Sequence, residues 1–271
     1  MAATIGIEGL ISVPDTSGGA VDQTGFDLHH VLGSGVGPYS ATLNESADSA
    51  DTTEWASSVP VASTMTTGLK GWTMSVNGRF PGGNAKFGKC GQVTFANGYV
   101  LGSSAWAMAL ACGFADVTEF ESSCPEYRAF LPGIISGSGS WTSLIDDTTA
   151  IAGTGDSGAA VFRLTKESSV DNTLACNIHS VQEAASIAVG SKNGVVYNYV
   201  VNGNVTAAGD SPLFNSGALV RPDVTEVVLR AAGSRTYTGM AFWTSIGISV
   251  ALDGLIDISL TLQGTGAIVR A

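Results

Sequence analysis

Basic side chains are scarce in this sequence: 12 Lys and Arg residues stand against 23 Asp and Glu residues, which gives a net charge of -11. Proteins that bind nucleic acid by neutralising its phosphates cluster their cations, whereas these are scattered. We therefore expect no specific binding of DNA or RNA. An acidic surface would instead let DNA slide past without sticking, because like charges repel.

Long apolar runs are also absent. No apolar stretch approaches the roughly 18 residues that a membrane-spanning helix needs. The N-terminus, MAATIGIEGLISV, has neither a basic region nor a long apolar core, so we expect no signal peptide and no membrane anchor.

Cysteine is rare, and no C-x-x-C pair or histidine at ligand spacing accompanies its four positions, Cys90, Cys112, Cys124 and Cys176. Without a secretory signal, disulfides lose their usual setting. We therefore expect buried free thiols. We expect no metal site and no cofactor, since the sequence has no P-loop, dinucleotide fingerprint or paired carboxylates.

Glycine, in contrast, is abundant at 35 residues, and many Ser, Thr, Val and Ile residues accompany it. This composition favours strands joined by turns over helices. The clearest strand is LIDISLTLQ at 255–263. Its alternation puts Ile256, Ile258, Leu260 and Leu262 on a dry face and Asp257, Ser259, Thr261 and Gln263 on a wet one. The predicted fold class is all-β, with antiparallel pairing.

Two segments repeat at a spacing of 65 positions, DTTEWASSVP at 51–60 and DVTEFESSCP at 116–125. The matched pairs include Glu54 with Glu119, Trp55 with Phe120, Pro60 with Pro125 and, further on, Gly68 with Gly133. Alternating runs precede both copies, YSATLNES and WAMALAC, and others follow them, GWTMSVNG and SGSWTSLI. Each copy is therefore predicted to form a strand, a long loop and a second strand.

A fainter repeat has a spacing of 61 positions and relates Ile187–Gly203 to Ile248–Gly264. It rests on a shared alternation of apolar residues rather than on identities, with Tyr197 and Tyr199 matched to Ile258 and Leu260. Both halves of the chain are thus predicted to be duplicated.

The order of these motifs resembles the tail tube, or major tail, proteins of tailed bacteriophages. GLIDISLTLQGTGAIV is similar to the closing strand and Gly-x-Gly end of that family, and YTGMAFWTSIGISV to the strand pair that leads into it. WAMALACGFADVTEFESSCPEYRAFLPGIISGSGSWTSLIDDT resembles its first strand, long Asp-x-Thr loop, corner and second strand. This chain departs from the single-copy pattern by having everything twice. The resemblance implies two tail-tube-like domains of β-sandwich or barrel form, produced by internal duplication.

Along the chain, two copies of the first half of the family pattern are followed by two copies of its second half. We expect a nested arrangement, in which residues 89–211 form a domain inserted into an outer domain made of residues 1–88 and 212–271. Insertion keeps the inner connections short and avoids crossing chains. An interleaved arrangement and a single enlarged sandwich are the alternatives.

The resemblance implies a structural virion protein whose rings stack into the tail tube, the conduit for genome passage into the host. With two units per chain, a homotrimer would form a pseudo-hexameric ring. The implied setting is the virion tail, assembled in the host cytoplasm, with terminator, tape measure and distal tail proteins as partners and DNA passing without specific binding. A capsid decoration or baseplate hub protein, which would cap a structure rather than polymerise, is the alternative.

Site residues follow from the same resemblance. The loops 45–70 and 113–135 would reach the adjacent ring or a neighbouring subunit, with Trp55 and Phe120 as aromatic anchors among the contact residues Glu54, Glu119, Pro60 and Pro125. Alternatively, the aromatic side chains of Trp55 and Phe120 each pack back onto the sheet of their own chain. The polar face of Asp257, Ser259, Thr261 and Gln263 would line the lumen, or simply face solvent.

The motif GTGDSG around Ser157 resembles the nucleophile segment of chymotrypsin-like proteases, but its setting does not support a triad. His29 and His30 lack the usual surroundings of the catalytic histidine, and no Asp lies between Asp51 and Asp116. We interpret the motif as a turn before the strand AAVFRLT. His179 is interpreted as a strand residue with a satisfied ring nitrogen, and the chain is not expected to be an enzyme.

Overall fold

The structure is a computed structural model. It describes residues 10–12, 37–51, 65–80, 91–96, 98–99, 103–119, 126–144, 152–167, 170–186, 194–208, 224–230 and 235–271. All regular structure within these ranges is β-strand, which confirms the predicted all-β class. These ranges accordingly contain no helix long and apolar enough to span a membrane.

Thirteen strands fill the described ranges: β1 (Leu10–Ser12), β2 (Gly37–Asp51), β3 (Met65–Phe80), β4 (Gln92–Phe95), β5 (Gly98–Tyr99), β6 (Ser103–Asp116), β7 (Phe130–Leu144), β8 (Gly158–Glu167), β9 (Val170–Ser186), β10 (Gly194–Ala208), β11 (Thr225–Arg230), β12 (Thr236–Ala251) and β13 (Ile256–Arg270). They form one antiparallel sheet in the order β2-β3-β13-β12-β6-β7-β10-β9-β8-β4-β5. β11 also pairs with β12, and β1 pairs with β11.

One face of the sheet is buried, because apolar residues alternate along the strands as the period of two requires. In β13 the predicted dry face, Ile256, Ile258, Leu260 and Leu262, is at most 2% exposed. Corresponding residues of β3, β6, β7, β9, β10 and β12 extend this layer into one continuous core.

Aromatic rings show that the sheet curves back over its core. Trp106 of β6 packs on Phe162 of β8, with ring centroids 5.3 Å apart, although three strands separate β6 from β8 in the sheet order. The Trp106 indole nitrogen also donates a hydrogen bond to the Arg163 carbonyl at 3.1 Å. Phe95 of β4 similarly meets Trp141 of β7 at 5.9 Å.

The hairpins β2–β3 and β6–β7 have the same residue-by-residue register. Asp51 pairs with Met65, and Asp116 with Phe130, which displaces both partners by 65 positions. Irregularities fall at matching places, after Pro38 and Ala47 in one hairpin and after Ser103 and Cys112 in the other. The spacing that repeats in the sequence is thus also the spacing of the ladders.

The matched glycines, Gly68 and Gly133, lie opposite one of these irregularities. A Cβ atom on Gly133 would lie 2.9 Å from the Gly113 carbonyl oxygen, and one on Gly68 would lie 3.0 Å from the Asp48 Cβ. A β-bulge brings the two strands close at this point, so a residue without a side chain fits it best.

The hairpins β9–β10 and β12–β13 also correspond, but at 63 positions rather than the predicted 61. Ser186 pairs with Gly194 and Ser249 with Asp257, and the same displacement relates the pairs on both sides of their bulges. The spacing of 61 is therefore wrong as a register. An alternating pattern cannot distinguish two alignments that differ by two residues, because both put the same residues on the same face.

The predicted loop bounds need correction. β2 continues to Asp51 and β3 begins at Met65, so much of 45–70 is strand, and β6 and β7 likewise take both ends of 113–135. The polar residues of β2 hide this, because an exposed edge strand has no apolar alternation.

The sheet order groups the strands by their position in the chain. β2, β3, β13, β12, β11 and β1 lie together on one side, and β4 to β10 lie together on the other. The two groups meet where β12 pairs with β6. The boundaries proposed for two nested domains stay a prediction.

Candidate assembly surfaces

The polar face of the central strands forms a concave groove. Its described lining is mostly uncharged and includes small residues, Asn77, Ala107, Ala109, Ser138, Gly139, Ser140, Asn198, Gly247, Ser249 and Ser259, larger ones, Met108, Tyr199, Ile248 and Ile258, and one charged residue, Asp257. The Asp257 carboxylate faces Arg79, whose Nε lies 3.5 Å from Oδ1. This groove therefore combines short polar groups with apolar ones and carries little net charge.

Three of the four predicted lumen residues, Asp257, Ser259 and Thr261, lie on this less buried face of β13, whereas Gln263 does not. Gln263 is 9% exposed, and its Nε2 donates to the carbonyls of Trp72 at 3.3 Å and Gly264 at 3.0 Å. Its ladder partner Phe242 is covered by the Phe114 ring. This end of the sheet is thus buried on both faces, and the prediction of an exposed Gln263 is wrong.

The segment 126–130, which precedes β7, crosses this end of the sheet to reach β3 and β13. Lys70 N donates to the Glu126 carbonyl at 2.9 Å, and Arg128 N donates to the Lys70 carbonyl at 2.8 Å. Gly266 N in turn donates to the Arg128 carbonyl at 2.9 Å. The connection between β6 and β7 thereby fastens the two groups of strands to each other.

Arg128 joins the two long hairpins electrostatically. Its guanidinium donates to Asp48 of β2 at 2.6 Å and to Asp116 of β6 at 2.9 Å. The hydrogen bond to Asp48 raises the pKa of Arg128. Bonds from the Thr118 hydroxyl and N–H, followed by Arg128, lower the pKa of Asp116. The three side chains are between 35% and 55% exposed, so solvent screens each ion pair and its contribution to stability is small.

A second group of charged side chains lies at the same end of the sheet. Lys70 binds Glu126, a bond that raises the pKa of Lys70, and Arg270 of β13 binds Glu45 of β2. Tyr127 also donates to Glu45 at 3.4 Å. Sequence reasoning missed these residues, because partners up to 225 positions apart have no local signal.

Most of the predicted contact residues, Trp55, Phe120, Glu54, Pro60 and Pro125, lie outside the described residues. Glu119, which is described, is exposed just after the end of β6. The contact roles of all six residues stay predictions.

The GTGDSG segment forms a turn, as predicted. Gly153 N donates to the Asp156 carboxylate at 2.6 Å, and Asp156 N donates back to the Gly153 carbonyl at 3.0 Å. Gly155 has a φ of 96°, a value that favours glycine. Ser157 is exposed immediately before β8, and His179 is an exposed residue of β9. His29 and His30 lie outside the described residues.

Two of the cysteines, Cys112 and Cys176, are buried thiols, as expected, and Cys90 and Cys124 lie outside the described residues. Burial raises the pKa of Cys176 to about 12. Within the described ranges, no group of three or more His, Cys, Asp or Glu side chains could hold a metal ion.

Comparisons with known proteins assign no family. No protein-family model, curated protein or solved structure matches the chain.

Proposed function

We propose that this chain is a tail tube protein, a structural subunit that assembles into stacked rings around a channel for DNA. The observation that carries the proposal is the doubled architecture. The hairpins β2–β3 and β6–β7 share one register, and the hairpins β9–β10 and β12–β13 share another. Two like units in one chain suit a ring of even, higher symmetry built from few chains.

The correspondence between the units extends to their remaining strands. β8 pairs with β9 as β11 pairs with β12, since Gly158 faces Ile178 and Thr225 faces Ala241. β4 lies beside β8 as β1 lies beside β11. The unit β1, β11, β12, β13, β3 and β2 thus matches the unit β4, β8, β9, β10, β7 and β6. This match supports an internal duplication with the second unit nested inside the first, and the curvature over the core supports a sandwich or barrel form for each.

The polar groove supports the assignment of an inner wall. Its described lining contains no Lys or Arg, and the chain as a whole carries a charge of -11. Among the described residues of the groove, DNA phosphates would therefore meet no cluster of Lys or Arg, whose binding would release counterions from the DNA. In this proposal the face of Asp257, Ser259 and Thr261 lines the bore, and DNA passes without specific binding.

Electron microscopy of the concentrated, purified protein tests the proposal. We expect tubes of uniform bore, with three chains in each ring by native mass spectrometry. Six chains in each ring would contradict the role of the duplication. Single rings or caps that never stack would favour the capsid decoration or baseplate hub, and a stable monomer at all concentrations would overturn both.

A further inference from the structure

The pairing of β6 with β12 joins the two units inside the chain, and the same kind of pairing could join two copies of the chain. Ser245–Ala251 of β12 pair with Ala105–Ala111 of β6 in seven consecutive antiparallel pairs. Ile246 faces Leu110 and Ile248 faces Met108, and all four side chains are at most 2% exposed. One unit thus offers an edge of its β12, and the other unit adds its β6 to that edge.

Each unit contains both elements, so the chain has one further edge of each kind. β2 corresponds to β6, which makes residues 40–46 the counterpart of 105–111. β9 corresponds to β12, which makes residues 182–186 the counterpart of 245–249. No described strand pairs with the outer edge of β2, and residues 182–186 pair with β10 alone among the described strands.

We propose that β2 of one copy of the chain pairs antiparallel with residues 182–186 of β9 in a second copy, in the register that places Asn44 opposite Ala184. This register is that of Ala109 opposite Gly247 inside the chain, transferred by the displacements of the two repeats. The contact is head to tail, so its repetition can close a ring. Ring closure, though not the pairing itself, rests on the proposed tail tube function.

The backbone at the β9 edge suits this pairing. Glu183 N points to the edge, where it meets the Thr154 hydroxyl oxygen at 3.4 Å. This contact is at the long limit of a hydrogen bond, so an incoming carbonyl can replace it. The backbone N–H of Glu183 points toward the open edge, so the backbone groups of the next residue, Ala184, point toward β10. Ala184 would therefore face Asn44 in a non-hydrogen-bonded pair, in which the Cα atoms lie about 4.5 Å apart.

The side chains at this contact are more polar than those at the internal junction. Where Leu110 faces Ile246 inside the chain, Glu45 would face Glu183 between chains. Like charges directly opposite each other weaken a strand pair, although Arg270 already binds the Glu45 carboxylate. Charged edges are a common device against uncontrolled pairing. The contact should therefore form reversibly, at high local concentration.

Cysteine cross-linking tests the register in the full-length protein. We would combine Asn44→Cys with Ala184→Cys, both at exposed positions, and oxidise the assembled protein. The expected Cα separation lies within the range that a disulfide spans. Covalent oligomers that end at three chains are expected on a non-reducing gel. The matched control, Thr42→Cys with Ala184→Cys, is out of register by two residues and should cross-link at least tenfold less.

Each outcome decides between the two proposals. If tubes form and the control variant cross-links as well as the test variant, the proposed register is wrong. The same holds if tubes form and neither variant cross-links. Both outcomes would leave the tail tube proposal standing. Absence of any self-association would overturn the tail tube proposal as well. Single-cysteine variants and the unmodified protein show how much cross-linking comes from the native thiols.

A second measurement does not depend on introduced cysteines. Glu183→Gln removes one of the two facing charges, so we expect assembly at a concentration about two- to fivefold lower. Glu226→Gln makes the same chemical change at an exposed position of β11, away from both edges, and should have less effect. Equal shifts for the two variants would mean that net charge, and not the pairing, is responsible.

Discussion

Trp72 of β3 covers Gly264 of β13, whereas at the corresponding places in the other unit Gly137 of β7 faces Val201 of β10. A Cβ atom on Gly264 would lie 2.1 Å from the Trp72 ring, and one on Gly137 would lie 2.9 Å from Val201. The large and small residues have exchanged strands, while the ladders have kept the same register. Backbone pairing thus tolerates very different side chains, as long as their combined volume fills the space.

The next pair toward the middle of the sheet differs between the units in the same direction, with a smaller residue on β7 than on β3 and a larger one on β10 than on β13. Met74 faces Leu262 in one unit, and Gly139 faces Tyr199 in the other. The Tyr199 hydroxyl fills the space above Gly139 and donates to the Ala107 carbonyl at 3.0 Å. In the proposed duplication, such differences would account for the few identities between the halves.

The largest effect is expected from removing the residue that fills one unit. Trp72→Ala should lower the free energy of unfolding by about 3–5 kcal/mol, because the indole is buried and leaves a cavity. Val201→Ala, at the place matching Gly264, removes two methyl-sized groups and should cost about 2 kcal/mol. Urea denaturation measures both. Equal losses would mean that the two units do not distribute volume as described.

A smaller effect is expected from reversing the exchange. Gly264→Val should cost about 1–3 kcal/mol, because the new side chain overlaps the Trp72 ring. Combined with Trp72→Gly, it recreates the glycine–valine pair of the other unit. The double variant should therefore be more stable than the sum of the single losses predicts, by about 0.5–3 kcal/mol. Additive losses in a denaturant cycle would count against the equivalence of these positions.

The smallest effect concerns the ends of the long hairpins. The Thr118 hydroxyl is the main cause of the lowered pKa of Asp116, so Thr118→Val should raise that pKa. A lowered pKa stabilises the fold above the unfolded value near 3.8 and ceases to do so as the pH falls through the folded value. The variant should therefore melt slightly below the parent at pH 7, and this difference should vanish on acidification.

Thermal melts across pH 2–7 check this expectation. The repeat matches Asp51 and Thr53 to Asp116 and Thr118, so Thr53→Val is the comparison variant. A pH-independent loss in Thr118→Val would mean that packing, and not the carboxylate, accounts for the change.

The sequence was informative where one face of a strand is dry. The alternation of β13 and the spacing of 65 predicted strands that the structure contains, because both depend on local pattern. The sequence pattern was misleading where side chains from elsewhere in the chain cover the second face of a strand. Gln263 is polar yet buried, since a remote ring, Phe114, covers its ladder partner Phe242.

Neither the candidate edges nor the charged contacts could be found from pattern alone. β2 has no apolar alternation at its exposed edge, and Arg128 binds a carboxylate 80 positions away. The matched Gly68 and Gly133 were the one local sign of the bulges, and their meaning depends on the backbone opposite them.

The seven pairs between β6 and β12 also decide how the chain responds to force and heat. Core side chains run without interruption from one group of strands to the other across this seam. Separate movement or unfolding of either half would expose this apolar seam to water and is therefore unfavourable. We therefore expect the two groups of strands to move and unfold together, as one rigid body rather than as two independently linked domains.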